Sequence, residues 1–484
     1  MMRRDELTIE QEYALQLFED GKNMLLTGPG GTGKSCLIRK MIEVSERRNH
    51  QVQVCAMTGC AALLVGCGAT TLHSWSGIKM ARGLPCEIIT NIRNNKKTTA
   101  KWRSVKTLIL DEVSMLSMRL FELLDAIGKN IRGNNLPFGG IQLIFTGDFY
   151  QLPPIGGTEE GSGQFCFESD IWYTTFPPDN HIELTTLFRQ KDAQYKVILN
   201  NIREGKINHE DMQVLRSRLN VSYNKDEHNG VVPTKLFATK SSVDKMNQQE
   251  FDKLTTQCYE YSCIQKSDCI GNLDSGKPFS SEYIVKCKKE LTPTKKEMEF
   301  RFLIENCPME KNLCLKEGAN VMCTVNLDLD AGICNGSVGV IIGFSAGTGV
   351  PMPNVKFSNG VIRQMNIKYW QSEEFPILAI GQIPLKLAWA MTIHKSQGAT
   401  LTMGEVDIGS SVFECGQTYV ALSRIQSLDG LFLCGLNPSK IKVNPKVREF
   451  YLKIPKIEYD EQEEKEEQEQ EEIMDLENFR YVHV

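Results

Sequence analysis

Residues 28–35 read GPGGTGKS and fit the pattern GxxxxGK[ST]. They follow the apolar run NMLLT and precede a helical stretch, the context in which such a loop holds phosphate. Gly28, Gly30, Gly31 and Gly33 let the backbone curl so that successive N–H groups face one point; Pro29 and Thr32 complete the loop. The start of the following helix adds a favourable dipole. Lys34 supplies charge to β- and γ-phosphates, and Ser35 a hydroxyl to Mg²⁺. Asp111 and Glu112 end a second apolar run, TLIL. There Asp111 would hold the same ion, and Glu112 would polarise an attacking water. Together these residues predict ATP and Mg²⁺ as cofactors and hydrolysis as the reaction.

Further polar residues stand at comparable places. Gln151, in GDFYQLPP (147–154), follows the run IQLIFT and could sense the γ-phosphate. Arg189 in LTTLFRQ and Arg424 in YVALSR lie outside the first strand–helix region. An arginine reaching the γ-phosphate from a second domain would make hydrolysis depend on domain closure. A different chemistry is suggested by TLHSWSG and by TIHKSQG. His73 and Trp75 offer flat groups for stacking bases, and His394-Lys395-Ser396-Gln397 offers donors to phosphate at a helix start. Trp75 reads equally well as core packing; the alternative for His394 is a capped helix end.

The elements that must position these residues follow from apolar patterning. Residues 23–27, 51–56, 107–110 and 141–146 are near-continuous apolar runs, as expected of parallel strands buried on both faces. A second set lies at 383–387, 406–408 and 431–434. Two strand–helix regions predict two α/β domains. Between them, residues 318–365 hold short β-rich runs broken by Asn-Gly at 335–336 and 359–360, the pattern of a small inserted antiparallel barrel. Residues 206–310 give mixed helix and loop signals. Residues 460–477, DEQEEKEEQEQEEIMDLE, are expected to be disordered.

Composition agrees with an ordinary globular chain: 41% hydrophobic and 24% charged residues in 484. No run of 18 or more apolar residues occurs, so no membrane-spanning helix is expected. The start, MMRRDELT, lacks the apolar stretch of a signal peptide, and the loop at Gly28 leaves little room for a transit peptide, which predicts a nuclear or cytoplasmic protein, cellular or viral. The 16 cysteines form no CxxC pair and read as reduced, mostly buried thiols. The net charge of −5 conceals a division: residues 459–484 carry −9, and the remaining body +4. A mildly positive body suits a polyanion partner.

Nine stretches taken together resemble the Pif-type DNA helicases (petite integration frequency), in the Pif/RecD branch of helicase superfamily 1. They are LTIEQ (7–11), GPGGTGKS (28–35), MTGCAALLVG (57–66), TLHSWSGI (71–78), DEVSM (111–115), GDFYQLPP (147–154), LFRQ (187–190), IPLKLAWAMTIHKSQGATL (383–401) and YVALSR (419–424). NGSVGVIIGF (335–344) looks like that family's inserted barrel. The resemblance spans roughly residues 7–440 in family order. One departure is Cys60, where many members carry an aliphatic residue.

The resemblance implies two RecA-like P-loop NTPase domains, an inserted SH3-like β-barrel and a disordered acidic C-terminal tail. The implied spans are 1–180 for the first domain, with a wedge insertion around 79–104; 181–317 and 366–458 for the second; 318–365 for the barrel; and 459–484 for the tail. Gln11 would contact adenine, and Gly398 would lie at the nucleotide. Arg189 and Arg424 would be the two γ-phosphate arginines. Thr58, His73, Thr392, His394 and Lys395 fall in motifs that touch single-stranded DNA. The implied activity is ATP-dependent 5′-to-3′ translocation on single-stranded DNA by a monomer, with unwinding of forked or tailed duplexes. The alternative is a translocase that remodels with little unwinding. Residues 81–102, with Arg82, Arg93, Lys96, Lys97 and Lys101, would form a basic wedge or a plain solvated loop. The tail would mimic DNA, recruit a protein partner through residues 479–482 (FRYV) or keep the chain soluble.

Overall fold

The computed structural model describes residues 7–456 except 79, 80, 82, 157–159, 191, 224–231, 274, 275, 308, 326, 329, 330, 334, 346–349, 373, 374 and 410. The acidic tail and Arg82 therefore lie outside the described residues. No helix among those described is long and apolar enough to cross a membrane.

The architecture is α/β, as expected. Six parallel strands form the first sheet: β1 (Met24–Thr27), β2 (Val52–Ala56), β3 (Thr70–Thr71), β4 (Thr107–Asp111), β5 (Gln142–Thr146) and β6 (His181–Glu183). Their order is β3-β2-β4-β5-β1-β6. Alternate residues feed opposite faces. Leu26, Ile109 and Ile144 join a core with Leu15 and Phe18 of the helix Ile9–Glu19 and Ile38 of the helix Lys34–Arg47. Leu108, Leu110, Leu143 and Phe145 pack on the other face under the helix Met118–Arg132. Apolar side chains are thus needed at most positions of β1, β4 and β5, which is why these three were legible as apolar runs.

A second parallel sheet runs in the order Ala390–Thr392, Thr234–Phe237, Gly404–Ile408, Leu431–Leu436. It corrects one expectation. Leu385–Leu387, read from sequence as part of this sheet, pairs antiparallel with Asn320–Cys323 instead. In LKL only Leu385 is fully buried. The fully buried strand is the short segment Ala390–Thr392. Its neighbour Thr234–Phe237 lies in the stretch that sequence left unread.

The inserted antiparallel sheet is real and larger than residues 318–365. Its order is Ile362–Gln364, Pro353–Phe357, Val338–Phe344, Asn320–Cys323, Leu385–Leu387, so the fifth strand comes from beyond that span. Gly360, at φ +86°, makes the turn that Asn359-Gly360 predicted. Beside this sheet, the helices Ser281–Glu290 and Pro293–Asn306 bring Cys287, Phe300 and Leu303 against Ile377, Leu378 and Ile380.

The predicted wedge region is a helix pair, Pro85–Asn94 and Lys96–Ser104. Ile88, Ile92 and Trp102 anchor it to the first core, while Arg93, Lys96, Lys97 and Lys101 are exposed. Lys97 Nζ lies 5.6 Å from the ring centre of Phe375, so the pair reaches the lobe beside the inserted sheet. The helix Pro445–Tyr451 returns from the second sheet and buries Val447 and Phe450 in the first core.

Candidate nucleotide site and nucleic-acid track

Thr27 ends β1, and the next residues turn sharply into the helix Lys34–Arg47. Gly28 has φ +132°, and a Cβ there would lie 2.3 Å from Leu184 O, so no side chain fits. Gly33 takes the left-handed conformation at the helix start (φ +86°). Gln11 is held by a reciprocal cap with Thr8, and its Nε2 donates to Thr32 O at 3.2 Å. It thereby ties the first helix to the phosphate loop. Gln11, Gly30, Gly31, Gly33, Lys34 and Ser35 line a cavity of about 390 Å³.

Lys34 Nζ donates to Gly28 O at 2.6 Å and Pro29 O at 2.8 Å. Burial lowers its pKa to about 8, against the opposing pull of Asp148, Asp111 and Glu112. This has a measurable consequence. An anionic nucleotide binds the charged form, which is lost as pH rises through about 8. Nucleotide affinity should therefore be flat below pH 8 and weaken by up to about tenfold per pH unit above it, one proton being linked to binding. In Lys34→Arg, whose guanidinium stays charged, that slope should vanish. Titration with a fluorescent ADP analogue between pH 7 and 9.5 checks both, and an unchanged slope in the arginine variant would assign the proton elsewhere.

Asp111 closes β4. Its Oδ1 accepts from Thr146 Oγ1 at 2.7 Å and from the Glu112 N–H at 2.9 Å. Glu112 adopts a left-handed backbone conformation (φ +57°). Burial, reinforced by the Asp111 charge, raises its pKa to about 7, suited to accepting a proton near neutrality. Gln397 Nε2 donates to Glu112 Oε2 at 2.8 Å and lies 3.4 Å from Gln151 Oε1. The sequence reading placed Gln397 with the phosphate donors of the DNA track. The structure instead aims it across at Glu112, and its position beside Gly398, which lines the cavity, was the available signal.

Arg189 and Arg424 enter the same cavity. A Cβ on Gly30 would lie 3.2 Å from Arg424 Nη2 and 3.3 Å from Arg189 Nη1. Arg424 is aimed by its bonds to Val420 O (3.0 Å) and Ser423 Oγ (2.8 Å). Burial, then the neighbouring Arg424 charge, lowers the Arg189 pKa to about 10. Arg189 Nη1 is buried with no hydrogen-bond partner among the described residues. Two adjacent buried guanidiniums, one with an unsatisfied donor, fit a polyphosphate. The carboxylate of Asp111 and the hydroxyl of Ser35 fit an oxygen-preferring Mg²⁺ that keeps phosphate and water ligands.

None of the residues assigned to DNA lines this cavity, and one of those assignments needs correction. Trp75 is 2% exposed and sits 4.7 Å from Trp102, centre to centre, inside the first core. It cannot stack on a base without unpacking that core. The apolar half of its helix, Leu72–Ser76, outweighs the polar neighbours that suggested otherwise. Lys395 is exposed, and His73 and His394 are half-buried. Burial lowers the pKa of both histidines, which favours their neutral forms. Thr58 and Thr392 cap the helices Gly59–Val65 and Ile393–Ser396, accepting from the N–H groups of Ala61 and Lys395. Each thereby fixes a helix start from which backbone N–H groups point outward.

Comparison with known proteins shows the family. Residues 6–213 match the model of the PIF1-like helicase family, and residues 302–344 that of the DNA helicase Pif1 2B domain. The ATP-dependent DNA helicase PIF1 of Xenopus laevis is 33% identical over 460 residues, which is 94% of this chain and 66% of that protein. The chain thus spans slightly less than two thirds of that relative. The crystal structure of the Pif1 helicase from Candida albicans is 33% identical, with a TM-score of 0.72 over 94% of this chain and 100% of that one. The Bacteroides Pif1 helicase in complex with ADP-AlF3 and ssDNA is 25% identical, with a TM-score of 0.60 over 92% and 96% of the two chains. The shared fold, the family-model match and 33% identity across the whole of a solved relative's chain place this chain in the PIF1-like helicase family.

Proposed function

We propose that this chain hydrolyses ATP to travel 5′-to-3′ along single-stranded DNA and to part the duplex it meets. One observation carries the reading: Lys34, Glu112 and Gln151 from the first sheet's strand ends and Arg189, Gln397 and Arg424 from outside it face one cavity. The relatives named above are helicases, one of them solved in complex with ADP-AlF3 and ssDNA.

Lys34 and the loop N–H groups hold the β- and γ-phosphates. Mg²⁺, when bound through Ser35 and Asp111, neutralises charge on those phosphates. Glu112 accepts the proton of the attacking water, and Gln397 and Gln151 orient the two. Arg189 and Arg424 meet the charge that develops on the transferred phosphoryl group. Because Arg424 and Gln397 ride on the second sheet's helices, hydrolysis and domain closure are coupled. Thr58 and His73 grip the strand from the first domain, and Thr392, His394 and Lys395 from the second. Alternating grip gives net movement, and the basic helix pair carrying Arg93, Lys96 and Lys97 stands where strands would part.

The test is ATP hydrolysis with and without single-stranded DNA, followed by unwinding of duplexes bearing a 5′ or a 3′ tail. Strong stimulation and opening of the 5′-tailed duplex alone is the expected result. Stimulation with neither duplex opened would favour a translocase, and opening of only the 3′-tailed duplex would reverse the polarity.

A further inference from the structure

Tyr451 is the last residue of the helix Pro445–Tyr451, far in sequence from every motif above. That helix is fixed on the first domain. Phe450 stacks on Phe167, with ring centres 4.3 Å apart, and Tyr451 stacks on Tyr150 at 4.5 Å. The helix also touches the second domain's side, where Arg448 Nη2 donates to Glu204 O at 3.0 Å.

The Tyr451 hydroxyl lies between two segments that build the nucleotide site. It donates to Asp148 Oδ1 at 3.1 Å and accepts from the Phe149 N–H at 3.2 Å. Thr27 Oγ1 lies 2.5 Å away and supplies the remaining hydrogen. One proton and two lone pairs are thus all engaged. Thr27 immediately precedes Gly28 and the phosphate loop. Asp148 and Phe149 stand three and two residues before Gln151. Asp148 is fully buried and held from its other side by Arg203, whose Nε lies 3.2 Å from both its oxygens and whose other nitrogens bind Glu183 at 2.9 Å. The Arg203 guanidinium lies over the rings of Tyr150 and Tyr451, 4.7 and 4.9 Å from their centres. Among the charged neighbours of Lys34, Asp148 has the strongest influence.

We propose that Tyr451 is a positioning residue for ATP hydrolysis, its hydroxyl locking the end of β1 to the loop 147–151 so that Lys34 and Gln151 face the γ-phosphate in register. This rests on the ATPase reading above. Tyr451 touches no substrate and acts through Thr27 and Asp148. A hydroxyl-specific role follows from the geometry, because the ring stacking would survive without the oxygen while the link between the two segments would not.

The experiment uses the full chain with Tyr451→Phe, Thr27→Val and the double variant, measuring kcat and KM for ATP at saturating single-stranded DNA together with Tm. A displacement of about 1 Å in a reacting group can cost about 10²-fold in rate. Tyr451→Phe should lower kcat at least about tenfold, with KM within about twofold and Tm within a few degrees. Thr27→Val should do the same, and the double variant should be no slower than the slower single one, because both remove one link. A wild-type kcat in Tyr451→Phe overturns the proposal. So does a loss of rate that follows Tm and multiplies in the double variant, which would mark general destabilisation. Absence of turnover in the unaltered chain would overturn the ATPase reading itself and is read separately.

Discussion

Replacing Arg424 by alanine is expected to lower the maximal rate of DNA-stimulated ATP hydrolysis by about 10³-fold or more, with nucleotide affinity changed far less, as for arginines that meet transition-state charge. Arg424 is 2% exposed and points at Gly30 of the phosphate loop from an element of the second domain. Its charge is held in a desolvated setting, where Coulomb interactions are strongest, so its contribution grows as charge accumulates on the phosphoryl oxygens. Burial lowers its pKa, while Glu112 works against that shift. Arg424→Lys should not restore the rate, because a lysine cannot keep the bonds to Val420 O and Ser423 Oγ while also reaching the phosphate. Single-turnover hydrolysis and binding of a fluorescent ADP analogue separate the two effects. A tenfold or smaller loss of rate in Arg424→Ala would remove Arg424 from the transition state.

Glu112→Gln should lower hydrolysis by about 10²- to 10⁴-fold, the range contributed by a placed general base. The amide keeps an oxygen able to accept from Gln397 Nε2, so the local hydrogen bond and nucleotide binding should persist. The pH profile gives an independent check. With its pKa raised to about 7, Glu112 is increasingly protonated below neutrality. A protonated carboxyl cannot accept a proton from water. For the unaltered chain, kcat/KM should therefore rise about tenfold per pH unit up to about 7, level off there, and fall above about 8 as Lys34 loses its charge. The small residual rate of Glu112→Gln should lack the rising limb. A rising limb that survives in the variant would assign the base elsewhere.

The parts legible in sequence were those whose physics is local. A phosphate loop needs glycines, a lysine and a hydroxyl within a few consecutive residues, so GPGGTGKS (28–35) carries its chemistry wherever it is met. Strands of the first sheet are covered on both faces, so β1, β4 and β5 appear as unbroken apolar runs. The arrival of Arg189 and Arg424 at one cavity was inferred through the family resemblance, and their geometry agrees with it.

What tertiary structure alone decided involves partners distant in sequence. Trp75 has the same type and polar neighbours whether it faces a base or Trp102, and only the packing of the helix Lys96–Ser104 against Leu72–Ser76 settles it. Leu385–Leu387 and Ala390–Thr392 are both only three residues long, and their division between two sheets depends on which edge each meets. Gln397 was assigned to the wrong face of its motif because a four-residue helix, Ile393–Ser396, has no periodicity long enough to fix a direction. Tyr451 carried no signal at all. Its partners Thr27 and Asp148 lie 424 and 303 residues away. A single hydroxyl between two such segments acquires meaning only when the chain has brought them together. Sequence determined the chemistry this protein carries, because that chemistry resides in residue types at short spacing. The fold decided which side chains are aimed at it, because aim is set by contacts that no local pattern records.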